Sequence, residues 1–552
     1  MTSPSYRHLR DLPPIESSGK ASVLPTDARR LAAWVAALPR ANPAVVQEQL
    51  RDALDALAAQ RLSGGARFDA LELLRSPVAE AVAQLEGQFV GATFPLPPAK
   101  VRAAQDAERF HVALAHGYRL AAADLCTPTG KPPMLRGGTV ATALGRAMHH
   151  YGAALAKAWQ VYRAPQPGSW QGLHRCHAFA VECGLGSKTI DDPLAGSRQT
   201  LDAIYCATLL ASLCNPYAHS QAEQEVLWAL ARAYAPQCPL SGEGGPDALA
   251  MIDPESDCGP GIGGGGPDGA AYLDTSRLRA DIDHALAHGG ESRLRLSPSH
   301  GVVVQSGRKL LESVQRSLGQ AVAARAEGRL PGGHVLDCVI GMSVLHYYLA
   351  GRLDFDAFVR QAREGQIQMV DRAAWTHAGG ELTRLPPVPT QVLDQSLHGY
   401  RVAWGSDAQA RARVGELVGL SLPDEPDDER DWMVGIIRWL RYEEDGSISA
   451  GIELLARRAH AVGLRGLNGR GDDRPPLRAL ALLPLDGETG ARYLSQEPGE
   501  FDGGEIEILR PSRLDGAGEN ILSASRTRLG LLHNGGDYVL YGTSASARES
   551  FS

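Results

Sequence analysis

The sequence lacks a strong excess of charge of either sign. Its 55 Lys and Arg residues against 63 Asp and Glu residues leave a formal net charge of -8 over 552 residues. A protein that binds nucleic acid mainly through phosphate contacts needs a basic surface, so this balance argues against a nucleic-acid partner. Charged residues at 21% and hydrophobic residues at 44% are typical of ordinary globular proteins.

Long apolar runs are also missing. No stretch approaches the roughly 20 apolar residues of a membrane span, and the N-terminus lacks the apolar core of a signal peptide. We therefore expect no membrane span and a cytoplasmic location. The eight cysteines fall in the middle of the chain, several within apolar helical patterns, and none form a CxxC pair. Buried, reduced thiols are the interpretation that fits them best.

Motifs for catalysis are absent as well. No GxSxG nucleophile elbow stands in a strand-helix context, and the glycine-rich stretch 259–267 lacks the Gly-Lys-Ser/Thr ending of a phosphate loop. His174 and His177 share a helical face, but a zinc site needs about four converging ligands, so core or surface side chains are favoured. We therefore predict that the protein is not an enzyme and holds no metal or cofactor.

The patterns that are present predict a multidomain α + β protein. Helical periodicity dominates the first two thirds; Asn42-Pro43, for example, has the cap-then-proline form of a helix start. No fixed repeat can be aligned, so the helical region is either solenoid-like or bundle-like. Val335 to Leu349 is apolar enough to predict a further helix. Beyond Gly365 the pattern changes to short β-prone runs separated by turns, typical of a small antiparallel barrel.

The predicted segments, in chain order, are a flexible leader (1–24), a helical domain (25–250), a Gly/Pro-rich linker or loop (251–272), a second helical segment (273–365), a small β-barrel (366–460) and a β-rich C-terminal segment (461–552). The last is either a second, partial barrel or an extension of the first sheet.

One hexapeptide carries a family resemblance. Residues 394–399 read Asp-Gln-Ser-Leu-His-Gly and lie between two β-prone runs, Gln391 to Leu393 and Tyr400 to Trp404. The hexapeptide matches the DxSxxG signature of PilZ domains, and the runs that follow resemble that family's strand order. The resemblance covers roughly residues 368–458.

The resemblance implies a six-stranded barrel that binds cyclic di-GMP on its outside. In that case Asp394 would accept hydrogen bonds from a guanine, Ser396 would bond a base or phosphate, and Gly399 would permit close backbone approach. The family's second element is an RxxxR segment ahead of the barrel. Arg372 stands at a plausible place for its second arginine, but Gln368 stands four residues earlier, so we expect the RxxxR element to be missing.

Two functions remain open at this point. The first is a bacterial signalling protein, in which a helical interaction region is coupled to a cyclic di-GMP receptor barrel and acts through a protein partner. The second is a helical adaptor or scaffold whose degenerate barrel binds no nucleotide, which the expected loss of RxxxR favours.

Overall fold

The computed structural model describes residues 4–12, 24–25, 27–92, 94–242, 248–262, 269–289, 293–299, 302–319, 329–364, 385–405, 412–423, 430–443, 446–467, 475–483, 490–496, 501, 503–510, 524–534 and 538–543. The chain divides into two compact units. The first comprises Met1–Ala92 and Leu96–Ala324, and the second comprises Thr93–Pro95 and Arg325–Ser552.

The first unit is mainly helical. Its described helices are α1 (Pro4–His8), α2 (Ala28–Ala36), α3 (Pro43–Ala59), α4 (Gly64–Phe89), α5 (Pro98–Leu125), α6 (Gly137–Gln160), α7 (Ser169–Glu182), α8 (Leu201–Leu213), α9 (Gln221–Tyr234), α10 (Ser276–His288) and α11 (Arg308–Gly319). Its short strands are β1 (Thr189–Asp192), β2 (Ser197–Thr200), β3 (Leu240–Ser241), β4 (Ala248–Ile252), β5 (Gly261–Ile262), β6 (Ala271–Asp274), β7 (Leu294–Leu296) and β8 (Val304–Ser306).

Local chemistry explains several of these boundaries. The Asn42 side chain accepts a hydrogen bond from the Val45 amide, and Pro43 follows at the first helical position, as the sequence predicts for α3. Ser220 and Glu223 form a reciprocal capping box at the start of α9. The long helices α4, α5 and α6 then bury apolar faces rich in alanine and leucine against one another.

A buried ion cluster ties the β1–β2 hairpin to these helices. The Asp192 carboxylate lies 2.7 Å from Arg75 and 2.7 Å from Arg146, and all three side chains are buried. The Glu72 carboxylate, 3.4 Å from Arg146 and 3.6 Å from Arg75, completes this ion cluster, so two cations meet two anions and the charges that burial would otherwise penalise are paired.

Two of the predicted segments of this unit need correction. The predicted flexible leader 1–24 is packed against the helices near its start, because Tyr6 and Leu9 are buried. The Tyr6 hydroxyl also donates a hydrogen bond to the Ala123 carbonyl at 3.2 Å. The predicted linker 251–272 is also not a simple connection. Its described ends belong to a four-stranded sheet in the order β3-β6-β4-β5, although residues 263–268 lie outside the described part.

The second unit contains a first barrel of six strands. These are β10 (Val335–Ile340), β11 (Val388–Ser396), β12 (Gly399–Trp404), β13 (Leu417–Ser421), β14 (Met433–Tyr442) and β15 (Ile448–Ala456), with a two-residue strand β9 (Leu330–Pro331) at the edge of β11. The spatial order β10-β13-β14-β15-β12-β11 closes on itself because β10 also pairs with β11. The predicted small antiparallel barrel is confirmed.

The start of this barrel corrects the prediction for Val335 to Leu349. Its first half is strand β10, and only Met342–Leu349 is a helix (α12); a second helix, α13 (Phe355–Glu364), follows. An apolar run of this kind suits a fully buried strand as well as a helix, and its pairing with β11 and β13 decides the outcome. The first barrel therefore begins before residue 366, with α12 and α13 inserted between its first two strands.

The C-terminal segment forms a second closed barrel. Its strands are β16 (Ala459–Gly466), β17 (Leu477–Leu482), β18 (Arg492–Ser495), β19 (Glu505–Leu509), β20 (Ala524–Asn534) and β21 (Val539–Thr543). They close in the order β16-β17-β18-β21-β20-β19. The strands of each barrel can be numbered 1 to 6 in chain order. In both barrels strand 1 then pairs with strands 2 and 4, strand 3 pairs with strands 2 and 6, and strand 5 pairs with strands 4 and 6. The two barrels therefore share one topology.

The two barrels share an apolar core. Helix α12 contributes Met342 and Leu345, the first barrel contributes Ile436, and the second barrel contributes Leu480 and Leu494, all buried in one cluster. The imidazole of His346 also lies 3.2 Å from the Val462 carbonyl of the second barrel. The burial of these apolar side chains away from water holds the two barrels together as one compact unit.

Within the described part of the chain, no helix combines the length and apolar character needed to cross a membrane. Six of the eight cysteines are buried, as predicted, whereas Cys183 is partly exposed and Cys258 is exposed.

Candidate ligand-binding site

The hexapeptide 394–399 forms the end of the β11–β12 hairpin. Asp394 pairs with Arg401, and Ser396 pairs with Gly399, so Leu397 and His398 make the turn. A register shift between Val392 and Asp394 marks a β-bulge immediately before the hexapeptide. Bulges re-aim the side chains that follow them, and this one sets the direction of Asp394 at the rim of the barrel.

An ion pair joins Asp394 to Arg329. The Arg329 guanidinium donates to the Asp394 carboxylate, with the two side chains 44% and 22% exposed, respectively. Strand β9 holds this arginine in place, because Leu330 and Pro331 pair with Gln395 and Asp394. A cation and an anion with remaining access to solvent therefore stand together at the rim of the barrel.

Gly399 is required by the barrel itself. A Cβ atom at this position would lie well inside 3.0 Å of the Ile452 carbonyl oxygen, a separation that real Cβ atoms essentially never show. The neighbouring strand β15 causes this, since Gly399 pairs with Glu453. The sequence analysis assigns this glycine to the close approach of a ligand to the backbone. In the structure, the close approach of the paired strand β15 is by itself enough to require a glycine here.

The Ser396 hydroxyl is only weakly engaged. It lies 3.5 Å from the Gly399 carbonyl, at the outer limit of a hydrogen bond, and the residue is half-buried. Its hydroxyl can therefore turn toward a polar group from outside at little cost.

The outer face beside the hairpin carries a row of residues on three strands. Arg401, Gly451 and Trp439 are in register on β12, β15 and β14, and the Arg401 guanidinium lies 6.0 Å from the Trp439 ring centre. The indole of Trp439 covers Gly451, where a Cβ atom would collide with it. The Arg401 guanidinium also lies 3.4 Å from the Glu443 carboxylate, so it contacts both an aromatic ring and an anion.

The arginine element expected to be missing is present in the sequence. Residues 325–329 read Arg-Ala-Glu-Gly-Arg, which is an RxxxR pattern that ends on the residue paired with Asp394. The expectation was wrong because the RxxxR pattern does not directly precede the hexapeptide: α12, α13 and the chain beyond them lie between the two motifs, and Arg329 stands 65 residues before Asp394. The pattern itself, read just before strands β9 and β10, is the signal that could have found it.

Arg372 and Gln368 lie outside the described residues, as does Arg325. Of the four predicted site residues, the structure thus places Asp394, Ser396 and Gly399 together on one hairpin. Arg329 joins them from the sequence that precedes the barrel.

The two histidines considered for a metal site have other partners. The His174 ring lies 2.7 Å from the Tyr205 hydroxyl and 2.9 Å from the Cys258 carbonyl. His177 lies 2.9 Å from the Asp202 carboxylate and stacks on the Tyr205 ring. These contacts hold helices α7 and α8 together.

Comparison with known proteins matches both units. A model described as the N-terminal domain of the cyclic-di-GMP receptor FimW matches residues 29–247, and one described as its middle PilZ domain matches residues 252–382 and 376–461. The cyclic-di-GMP receptor FimW of Pseudomonas aeruginosa is 27% identical over 505 residues, covering 82% of this chain and 80% of the relative. No solved structure matches. Because these models match the helical region and the first barrel in the order in which the chain carries them, the chain is a PilZ-domain protein with a FimW-type N-terminal region.

Proposed function

We propose that the protein is a cyclic di-GMP receptor whose ligand binds at the rim of the first barrel. The observation that carries this proposal is the contact of Arg329 with Asp394, because it joins the RxxxR and DxSxxG elements at one place. The name of the FimW relative supports the same ligand class. The adaptor alternative rested on a missing RxxxR element and loses that support.

The residues supply the chemistry that a cyclic dinucleotide requires. The ligand carries two phosphate charges and two guanines, and guanidinium groups bind phosphates and guanine edges in a planar, forked manner. Arg329, with Arg325 by its place in the pattern, would bind these groups, while Asp394 would accept from a guanine and Ser396 would donate to it. None of these roles requires bond making or breaking, so we propose a receptor rather than an enzyme.

The place of the RxxxR segment also indicates how a signal would leave the site. In the sequence it lies between α11, the last described helix of the first unit, and β9, which pairs with β11 at the edge of the first barrel. Ligand contacts made by this segment would therefore act close to one of the points where the chain passes from the first unit into the second. We propose that a protein partner of the helical region, in the cytoplasm, reads this change.

Isothermal titration of the full chain with cyclic di-GMP tests the proposal. We expect saturable binding, and we expect Arg329→Ala to weaken it roughly tenfold or more, because a charge-assisted hydrogen bond contributes about 1.5 to 3 kcal/mol. Arg198→Ala is the matched control, since this arginine of the first unit also makes an exposed ion pair, with Asp191. Absence of binding at high micromolar ligand would refute the proposal.

A further inference from the structure

A second arginine reaches the hexapeptide from the opposite end of the barrel sequence. Arg457 is one of two residues between β15, the last strand of the first barrel, and β16, the first strand of the second. Its guanidinium donates to the Leu397 carbonyl in the turn of the hexapeptide at 3.4 Å, and the residue is exposed. Arg329 and Arg457 therefore contact the same hairpin end, at residues 394 and 397.

The contact made by Arg457 does not neutralise the positive charge of its guanidinium. A distance of 3.4 Å to a neutral carbonyl is beyond the usual range of an N–H···O hydrogen bond, and that bond does not neutralise the guanidinium. An anionic oxygen of a ligand would give a shorter and roughly twofold stronger, charge-assisted bond.

The backbone around Arg457 is held from both barrels. The Leu454 amide donates to the His398 carbonyl of the hexapeptide at 2.9 Å. The Arg492 guanidinium of the second barrel donates to the Leu455 carbonyl at 2.9 Å. The Leu483 amide donates to the Arg458 carbonyl at 3.0 Å. The base of the Arg457 side chain is thus fixed before any ligand arrives, which lowers the entropy cost of using it.

The neighbouring arginine has a different environment. The Arg458 guanidinium lies 2.9 Å from the Asp431 carboxylate, so its charge already has a partner. Adjacent in sequence and both exposed, the two arginines differ mainly in what their guanidinium groups contact.

We propose that Arg457 is an additional ligand-binding residue, which contacts a phosphate of the nucleotide bound at the hexapeptide. This rests on the proposed cyclic di-GMP site and extends it to the junction of the two barrels. The second barrel then has a role in binding, because its contacts at residues 455 and 458 position an arginine at a site that belongs to the first barrel.

The test is titration of the full chain and of its Arg457→Ala, Arg457→Lys and Arg458→Ala variants with cyclic di-GMP at two salt concentrations. We expect Arg457→Ala to raise the Kd roughly tenfold and to reduce its dependence on salt, because one screened charge contact is lost. Arg457→Lys should recover part of the affinity, and Arg458→Ala should stay within about twofold of the unaltered protein.

Three results with the variants would overturn the inference. Arg457→Ala could bind within twofold of the unaltered protein while Arg329→Ala is impaired, which would leave the proposed function intact. Arg458→Ala could weaken binding as much as Arg457→Ala, which would indicate a general effect of charge. A loss of affinity in Arg457→Ala that Arg457→Lys does not recover, with a lowered melting temperature, would indicate a structural role. Failure of the unaltered protein to bind would remove the proposed function together with the inference.

Discussion

Replacement of Gly399 by alanine tests whether the glycine of the hexapeptide serves the barrel or the ligand. The added Cβ atom would meet the Ile452 carbonyl oxygen, which belongs to the backbone of a paired strand and cannot rotate away. Relief requires the β11–β12 hairpin and β15 to separate by on the order of 1 Å, at the cost of their hydrogen bonds. Overpacking of this kind costs about 1 to 3 kcal/mol.

For a unit of this size, that cost corresponds to a fall in melting temperature of about 2 to 4 °C per kcal/mol. We therefore expect Gly399→Ala to lower the melting transition of the barrels by roughly 2 to 12 °C without any ligand present. Differential scanning calorimetry of the full chain measures this directly. Weakened ligand binding would accompany the shift, because the same strands carry Asp394 and Ser396.

Gly466→Ala is the matched control. Gly466 also ends a barrel strand, β16, but a Cβ atom there would have no neighbour within 4 Å. We expect its melting temperature to change by no more than about 2 °C. If Gly399→Ala melted like the unaltered protein and lost only its affinity for ligand, the structural account of this glycine would be refuted.

The remaining predictions concern the first unit and the thiols. Asp192→Asn removes the anion between two buried arginines, and we expect it to lower the free energy of unfolding, measured by chemical denaturation, by about 3 kcal/mol or more. Asp191→Asn, at an exposed ion pair, is the control and should change that free energy by less than about 0.5 kcal/mol. Equal effects of the two substitutions would contradict the burial argument. Burial lowers the pKa of His116 to about 4, whereas the same imidazole titrates near pH 6.5 in the unfolded state. Because only the unfolded state takes up this proton between the two values, the free energy of unfolding should fall as the pH falls from about 6.5 to about 4. At pH 5 this residue should account for about 2 kcal/mol of the fall. Melting curves at pH 7, 6 and 5 should show this fall, and His116→Leu should remove only the share of His116, because burial also lowers the pKa of His111 to about 3 and that of His149 to about 4. An unchanged slope in His116→Leu would refute the prediction. Of the eight cysteines, Cys258 should react first with a thiol reagent, followed by Cys183, and rapid labelling of the rest before unfolding would contradict their burial.

The sequence by itself determined the local features of this protein. The cap at Asn42, the alternation of the strands beyond residue 388 and the hexapeptide at 394–399 depend on residues close together in the chain, so their patterns could be interpreted directly. The barrel and its family resemblance were predictable for that reason. For the C-terminal segment the sequence left open a second, partial barrel or an extension of the first sheet, because closure depends on the pairing of β16 with β19, whose paired residues, such as Gly466 and Ile506, are far apart in the chain.

Tertiary structure decided the features that depend on distant segments. Val335–Ile340 is a strand because β11 and β13 lie on either side of it, and no pattern within the run distinguishes that outcome from a buried helix. Arg329 meets Asp394 only because β9 pairs with β11 across the insertion that carries α12 and α13. Arg457 reaches the same hairpin because two barrels fix the residues on either side of it. The hexapeptide could be found from its own letters, but the cations around it are set by contacts that span 60 residues or more in each direction.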